Sequence, residues 1–334
     1  MKSLVLFNNK GGVGKTTLTF NFAHMAARLG LRVVVLDYDP QCNVSSIFLP
    51  EETLADLWAL DAPVGLTVAS SIDLVRRGKG EVREPVMREV AERLFLLPGN
   101  LLLSRFEQSL AEEWPKTSAA ENERALAVTT ALDLLSNRAA AITKADIVFA
   151  DVGPSLGALN RAALLACDFV VLPLAPDLFS LQGLRNVGPT LHEWRQDWDR
   201  VRQNHLDGRD ESQLPPHAFK PVGYIVQQHL ARADRPVLGY RKWAEQIPAV
   251  YAEEVLGEAT VGALSFENDP NCIARLKHFS SLVPLAQVAR KPLFDLKQAD
   301  GISGGQIQAV AQARKEFEQV VRQLCDRMAV PVPS

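Results

Sequence analysis

The sequence predicts an α/β protein built on a largely parallel, twisted sheet with helices on both faces. Three observations predict it. The apolar run Leu4-Val5-Leu6-Phe7 leads through a glycine-rich turn into a periodic helical stretch over 18–29. Runs that are apolar almost throughout recur at 31–37, 145–151 and 168–174, the mark of strands buried on both faces. Helical patterns separate these runs, as in a sheet wound with crossover helices.

The turn carries the most specific chemistry. It reads Asn8-Asn9-Lys10-Gly11-Gly12-Val13-Gly14-Lys15-Thr16-Thr17. Strand, glycine-rich turn and helix form the context in which a phosphate-binding loop, or P-loop, is credible. Glycines let successive backbone N–H groups turn inward around a polyphosphate, and the following helix adds the positive end of its dipole. The cofactor-binding candidates are Gly11, Gly12, Val13, Gly14, Lys15, Thr16 and Thr17. Lys15 would reach the β- and γ-phosphates, Thr16 would offer a hydroxyl to Mg2+, and Thr17 would bond the α-phosphate.

The strict pattern G-x-x-x-x-G-K-[ST] is not met, because its first glycine falls on Asn9. The sequence has K-G-G-x-G-K-T instead, with Lys10 near its start. This resembles the deviant Walker A motif of the ParA/MinD family of P-loop ATPases. The resemblance implies that Lys10 crosses a dimer interface to the phosphates of the partner's nucleotide. The fold class is then α/β of the P-loop NTPase kind.

The next run ends in Asp37-Tyr38-Asp39-Pro40-Gln41-Cys42-Asn43. Two carboxylates at a strand's C-terminal end, beside the P-loop, lie where this architecture puts metal and water chemistry. The stretch resembles the family's D-x-D-P-Q-x-N segment. That resemblance gives Asp39 the positioning of the attacking water and Asp37 the support of the Mg2+ shell. Cys42 stands where glycine is common. The run 145–151 ends in Asp151, a Walker B pattern, so Asp151 would hold Mg2+ directly or through a water. Gly153-Pro154-Ser155-Leu156-Gly157 resembles the family's switch, with Gly153 in place of the commoner proline. Beyond a helix over 158–167 and the strand at 168–174, residues 175–184 resemble the ParA branch's P-x-x-x-S-L-x-G.

Length and composition bound the rest. A chain of 334 residues can bury a substantial core. The net charge of −3 argues against a uniformly basic nucleic-acid binder, without excluding a local basic face. No apolar run reaches membrane-span length, and the N-terminus enters a strand with no signal-peptide pattern. Cys42, Cys167, Cys272 and Cys325 form no C-x-x-C pair, so they read as reduced thiols and the expected location is cytoplasmic, in part nucleoid-associated if DNA is bound.

Residues 50–140 are less readable. A short helix is expected through residue 60, a solvated loop around Arg76-Arg77-Gly78-Lys79, and helical spacing over 86–94. A strand at 94–97, a helix over 104–113 and a longer helix over 120–141 follow. No catalytic constellation shows here, and partner contacts are the expected use. Further on, the strand 221–226 ends at Gln227 and Gln228, either of which could face adenine with its amide. A short strand is expected over 260–264. Pro284 lies in a stretch resembling the family's last nucleotide-side loop. Arg232, Arg235, Arg241 and Lys242 form one basic cluster, and Arg275, Lys277, His278, Arg290 and Lys291 another. The helix over 306–328 carries an ordinary core stripe, so membrane anchoring of the MinD kind is not expected.

The resemblance covers 1–49, 94–112, 145–194 and 220–328. It implies one ATPase domain over 1–330 with a short tail at 331–334, binding ATP and Mg2+. The implied assembly is a homodimer with ATP sandwiched at its interface, slow hydrolysis and an activating partner protein. Two functional readings follow. One is DNA partition or cargo positioning through non-specific DNA binding. The other is a nucleotide-switched regulatory or scaffold protein that binds a protein partner without DNA. Electron transfer through an iron–sulfur cluster is disfavoured, because Cys167 has no partner cysteine at suitable spacing.

Overall fold

The computed structural model describes residues 1–59, 61–119, 122–206, 214–215, 219–228, 242–258, 265–277 and 279–333. Its centre is the sheet that the apolar runs predict. Strands β1 (Lys2–Leu6), β2 (Val33–Asp37), β3 (Arg88–Ala91), β4 (Leu94–Leu97), β5 (Ile147–Asp151), β6 (Phe169–Leu174), β7 (Lys220–Gln228) and β8 (Cys272–Lys277) lie in the order β3-β4-β2-β5-β1-β6-β7-β8. Every pairing is parallel except β3 with β4.

Why the central runs are apolar at every position is visible in the packing. Along β2, Val34 and Leu36 enter one core while Val33 and Val35 enter the other. In β5, Val148 and Ala150 likewise oppose Ile147 and Phe149. Period-2 geometry sends alternate side chains to opposite faces, and both faces are covered by helices. On one face lie α4 (Val68–Arg76), α5 (Leu103–Glu113), α7 (Ala131–Thr143), α8 (Ala158–Leu165) and α9 (Leu178–Leu206). On the other lie α1 (Lys15–Arg28), α2 (Asn43–Phe48), α3 (Glu51–Trp58) and the terminal helix Gly305–Arg327, the first and last joined where Phe22 meets Phe317 at 5.7 Å. Phe317, Val320, Val321 and Leu324 of that helix are buried, so its apolar stripe serves the core. No helix among the described residues is long and apolar enough to cross a membrane.

Several local expectations are corrected. The helical spacing over 86–94 gives β3 and a two-residue turn into β4, with Arg93 at φ 62. Apolar residues at 86, 87, 90, 91 and 94 fit a helical period, but pairing against the exposed edge of β4 wins over so short a local pattern. The expected loop around Arg76 begins inside α4, which is started by a capping box between Thr67 and Ser70. The expected long helix over 120–141 is two helices, α6 (Glu123–Thr129) and α7, meeting at Thr130. β8 was not expected; its Ile273 and Leu276 are buried while Arg275 and Lys277 face outward. The strand expected over 260–264, and Arg232, Arg235, Arg241 and His278, lie outside the described residues.

Candidate nucleotide site

Because the central strands are parallel, their C-terminal ends share one rim. β1 delivers the P-loop there, and β2 and β5 deliver aspartates. Asp37 and Asp151 are register partners on adjacent strands, and both are fully buried.

The loop is held by its own chain. Gly12 and Gly14 take φ +73 and +76, the left-handed region that glycine enters without strain. A Cβ on Gly14 would also lie 2.3 Å from Gln227 Nε2. Asn8, buried at the strand end, donates Nδ2 to Pro173 O and accepts from Lys10 N through Oδ1. Lys15 starts α1 and curls back, its Nζ donating to Asn8 O at 3.0 Å. Burial pulls the Lys15 ammonium below its ordinary pKa, and the charges of Asp151 and Asp39 oppose that pull. Thr16 Oγ1 donates to Asp151 Oδ2 at 3.0 Å.

Three carboxylates crowd beneath the loop. Burial raises the Asp37 carboxyl to about 7; bonds from Ser45 oppose the rise and the charge of Asp39 adds to it. Burial, then the neighbouring Asp37, pushes Asp151 well above the usual carboxylate range, although Thr16 bonds it. Asp39 Oδ1 accepts from Gln41 N and its Oδ2 from Asn43 Nδ2 at 3.4 Å. Gly153 brings the switch loop close to Asp39: a Cβ there would sit 3.1 Å from Asp39 Oδ1, so the carboxylate would have to give by a few tenths of an ångström.

The residues fit a divalent cation. Asp151 Oδ1 is buried and has no hydrogen-bond partner among the described residues, while its other oxygen holds the Thr16 hydroxyl. A hard, oxygen-preferring ion such as Mg2+ is what an unpartnered carboxylate oxygen beside a threonine hydroxyl suits.

Other candidates fall elsewhere. Gln227 donates Nε2 to Val13 O at 3.0 Å, so its amide supports the loop backbone in this conformation. Pro284 is exposed in the helix Val283–Ala289. Its neighbours Val283, Ala286 and Gln287 line a small cleft together with Thr17. Lys10 Nζ pairs with Asp177 Oδ2 at 2.6 Å on its own chain and lies over the Phe179 ring. Asp177 also accepts from Ser180 N at the start of α9; burial pushes its carboxyl up, but these bonds hold it below the ordinary range.

The sequence reading missed three supports. Ser45 bonds Asp37 Oδ2 through both N and Oγ, at 3.0 and 2.5 Å. Asn160 donates Nδ2 to Gly153 O and Ser155 O, holding the switch loop from α8. Asp177 was visible only as an acid after Pro176, and nothing in the spacing pointed it at Lys10.

A family model described as an AAA domain matches residues 1–203, well over half of the chain. The chain belongs to the ParA/MinD family of P-loop ATPases. Among its ParA/MinD relatives is the chromosome-partitioning ATPase Soj of Thermus thermophilus, 28% identical over 75% of this chain and 96% of that one. Solved structures share the fold. A Corynebacterium diphtheriae protein superimposes with a TM-score of 0.69 over 98% of this chain and 99% of its own, at 22% identity. The McdA–ATP complex of Cyanothece gives 0.61 over 97% and 96%, at 16% identity.

Proposed function

We propose that this ParA/MinD-family chain is a Mg2+-dependent ATPase whose nucleotide state switches a homodimer on and off, working as one unit over 1–330, in DNA partition or intracellular cargo positioning. One observation carries the reading: Lys15, Thr16, Asp39 and Asp151 converge beneath a glycine loop, with a buried carboxylate oxygen left unpartnered. The names of two relatives point the same way, a chromosome-partitioning ATPase and an ATP-bound McdA.

In this reading Gly11, Gly12, Val13, Gly14, Thr16 and Thr17 present backbone N–H groups to the phosphates. The Lys15 ammonium offsets charge on the transferred phosphoryl group. Thr16 and Asp151 hold Mg2+, with Asp37 behind them. Held there by Thr16 and Asp151, Mg2+ would supply neutralisation of the charge that develops on the phosphates. Asp39 orients the attacking water, and Asn160 keeps the switch loop beside it. Lys10 leaves Asp177 to reach the partner copy's nucleotide. Phosphoryl transfer is mostly positioning and electrostatics, so these residues need only hold geometry. A partner protein stimulates the step, and the protein acts in the cytoplasm, on the nucleoid where DNA is bound.

Non-specific DNA binding would use phosphate contacts from Lys242, Arg275, Lys277 and Arg290. A specific observation favours the second reading, a protein-binding switch without DNA. Part of the basic surface is already committed: Lys291 pairs with Asp300 at 2.7 Å, and Arg275 lies over Phe266. Co-sedimentation with DNA in ATP, in ADP, and with Asp39→Ala separates the two. Salt-sensitive binding in ATP that Asp39→Ala prolongs supports partition or positioning. A variant that dimerises on ATP yet ignores DNA at low salt removes the DNA reading.

A further inference from the structure

Residues 50–140 contain a cleft of about 320 Å3 that the nucleotide site does not use, walled by α4, the start of α5 and the end of the helix Glu51–Trp58. Two kinds of side chain meet in it. Trp58 is half-buried on one wall, and Val64 and Leu102 leave 58% and 46% of their surface open. Around this apolar floor stand the guanidinium groups of Arg76, Arg77, Arg83 and Arg105. Asp73, the one carboxylate in the lining among the described residues, is already bonded to Arg76 at 2.7 Å and Arg77 at 2.8 Å. Arg83 and Arg105 have no ion-pair partner among the described residues. The cleft is therefore electropositive over an apolar base, on a chain whose net charge is −3.

The wall of this cleft is also bonded to the nucleotide rim. Trp58 Nε1 donates to Gly99 O at 3.0 Å. Gly99 N donates to Ser45 Oγ at 2.9 Å, and Ser45 Oγ donates to Asp37 Oδ2 at 2.5 Å. Gly99 lies against the rim closely enough that a Cβ on it would come 2.9 Å from Asp37 Cγ.

We propose that this cleft docks an acidic segment of a partner protein whose apolar side chains are spaced to fill it, and that Trp58, Gly99 and Ser45 relay its occupancy to Asp37. Charge complementarity selects the acidic partner, and the recessed apolar floor selects a peptide over a nucleic acid. Phosphate contacts need a basic surface but not a pocket for aliphatic side chains. An amphipathic helix laying its apolar face into a groove is the recurrent peptide mode for such a shape. The relay rests on the nucleotide-switch reading above; the docking does not.

The test uses the full chain and a labelled synthetic peptide of about twelve residues, with leucines at helical spacing and Glu or Asp between them. Fluorescence anisotropy at low salt should show binding that weakens as salt rises. The double variant Arg83→Glu/Arg105→Glu should bind about tenfold more weakly or worse, and a peptide with Lys for each acid should not bind. Trp58→Phe keeps a ring but loses the bond to Gly99. It should bind the peptide within about twofold of the parent while the peptide's effect on ATP turnover disappears. Equal affinity in the charge-reversed variant, no binding by the acidic peptide at low salt, or preference of the same site for short duplex DNA overturns the docking. Peptide binding that persists in a protein without ATP turnover supports the docking and removes the nucleotide reading instead.

Discussion

Strands β2 and β5 run side by side into the paired acids Asp37 and Asp151. At the far edge of the same sheet, β3 and β4 turn back on each other, and β4 ends in Leu97 rather than in an acid. The inner strands are clamped between two helical layers, so every position along them is constrained, and their ends set two buried carboxylates in register on adjacent strands. The outer segment 50–140 packs on both faces at the sheet's edge, Leu54 and Leu57 on one side and Val68, Ile72 and Phe106 on the other, but it also keeps an open outer surface. It gains freedom to present surface, and its cleft of arginines and apolar side chains lies there. In the proposed reading, chemistry sits where the backbone is over-determined, and recognition sits where it is not.

The largest effect that would break this comparison is one of stability. Phe106, within the outer segment, is 1% exposed and packs from α5 into the core. Phe106→Ala should lose about 3–5 kcal/mol in urea unfolding. ATP binding should survive in the molecules that remain folded; parallel loss of both would show the two regions to be one unit.

Lys15→Ala should lower hydrolysis about 100- to 1000-fold, roughly 3–4 kcal/mol of barrier, measured as single-turnover phosphate release. Its melting temperature should hold or rise, because the lysine's ammonium is buried among backbone carbonyls without ligand. A fall in stability would blur the separation.

Next in size is a pH effect confined to the inner region. His24 on α1 is wedged between Phe20 and Phe48 at 4.6 and 5.4 Å. Burial lowers its pKa to about 4, Arg28 helps, and Asp295 opposes. The folded protein therefore keeps it neutral while the unfolded chain protonates it near the ordinary value of about 6.5. Its contribution is complete above about 6.5 and is lost as pH falls toward about 4, by up to about 3 kcal/mol. Melting of the parent against His24→Gln across that range should show the parent falling more steeply; equal slopes would assign the effect elsewhere.

The smallest effect tests the seam. Ser45→Ala removes the hydroxyl shared by Asp37 and Gly99. It should cost about 1–3 kcal/mol of stability and should uncouple changes at Trp58 from turnover. Additive behaviour of Ser45→Ala and Trp58→Phe would show that no relay joins the regions.

Legibility in the sequence followed the same division. Val33 to Leu36 could only be a doubly covered strand, and Lys15, Thr16 and Asp151 were placed by motif and strand end. Ser45 and Asn160 were not legible, because a serine or an asparagine on a helix has many uses and only the fold brings each to its acceptor. Arg88 to Ala91 misled for a different reason. Four residues are too few to tell a helical period from an extended one, and the deciding partner, β4, follows after a two-residue turn. Gln227 was placed at the right rim by its strand, but its choice of the Val13 carbonyl depends on how closely Gly14 lets the two strands' ends approach.

Among the described residues β8 is paired on one side only, by β7, and its outward positions are Arg275 and Lys277. A bare strand edge is a template for another chain's edge, and arginine or lysine along it discourages that stacking. These two cations would therefore discourage such stacking whether or not they ever meet DNA. Neutralising them would make the protein sticky, and sticky protein pellets with or without nucleic acid. A DNA-binding assay by sedimentation is therefore cleaner when charge is removed at Arg290, an exposed residue beyond the strand, than at the edge itself.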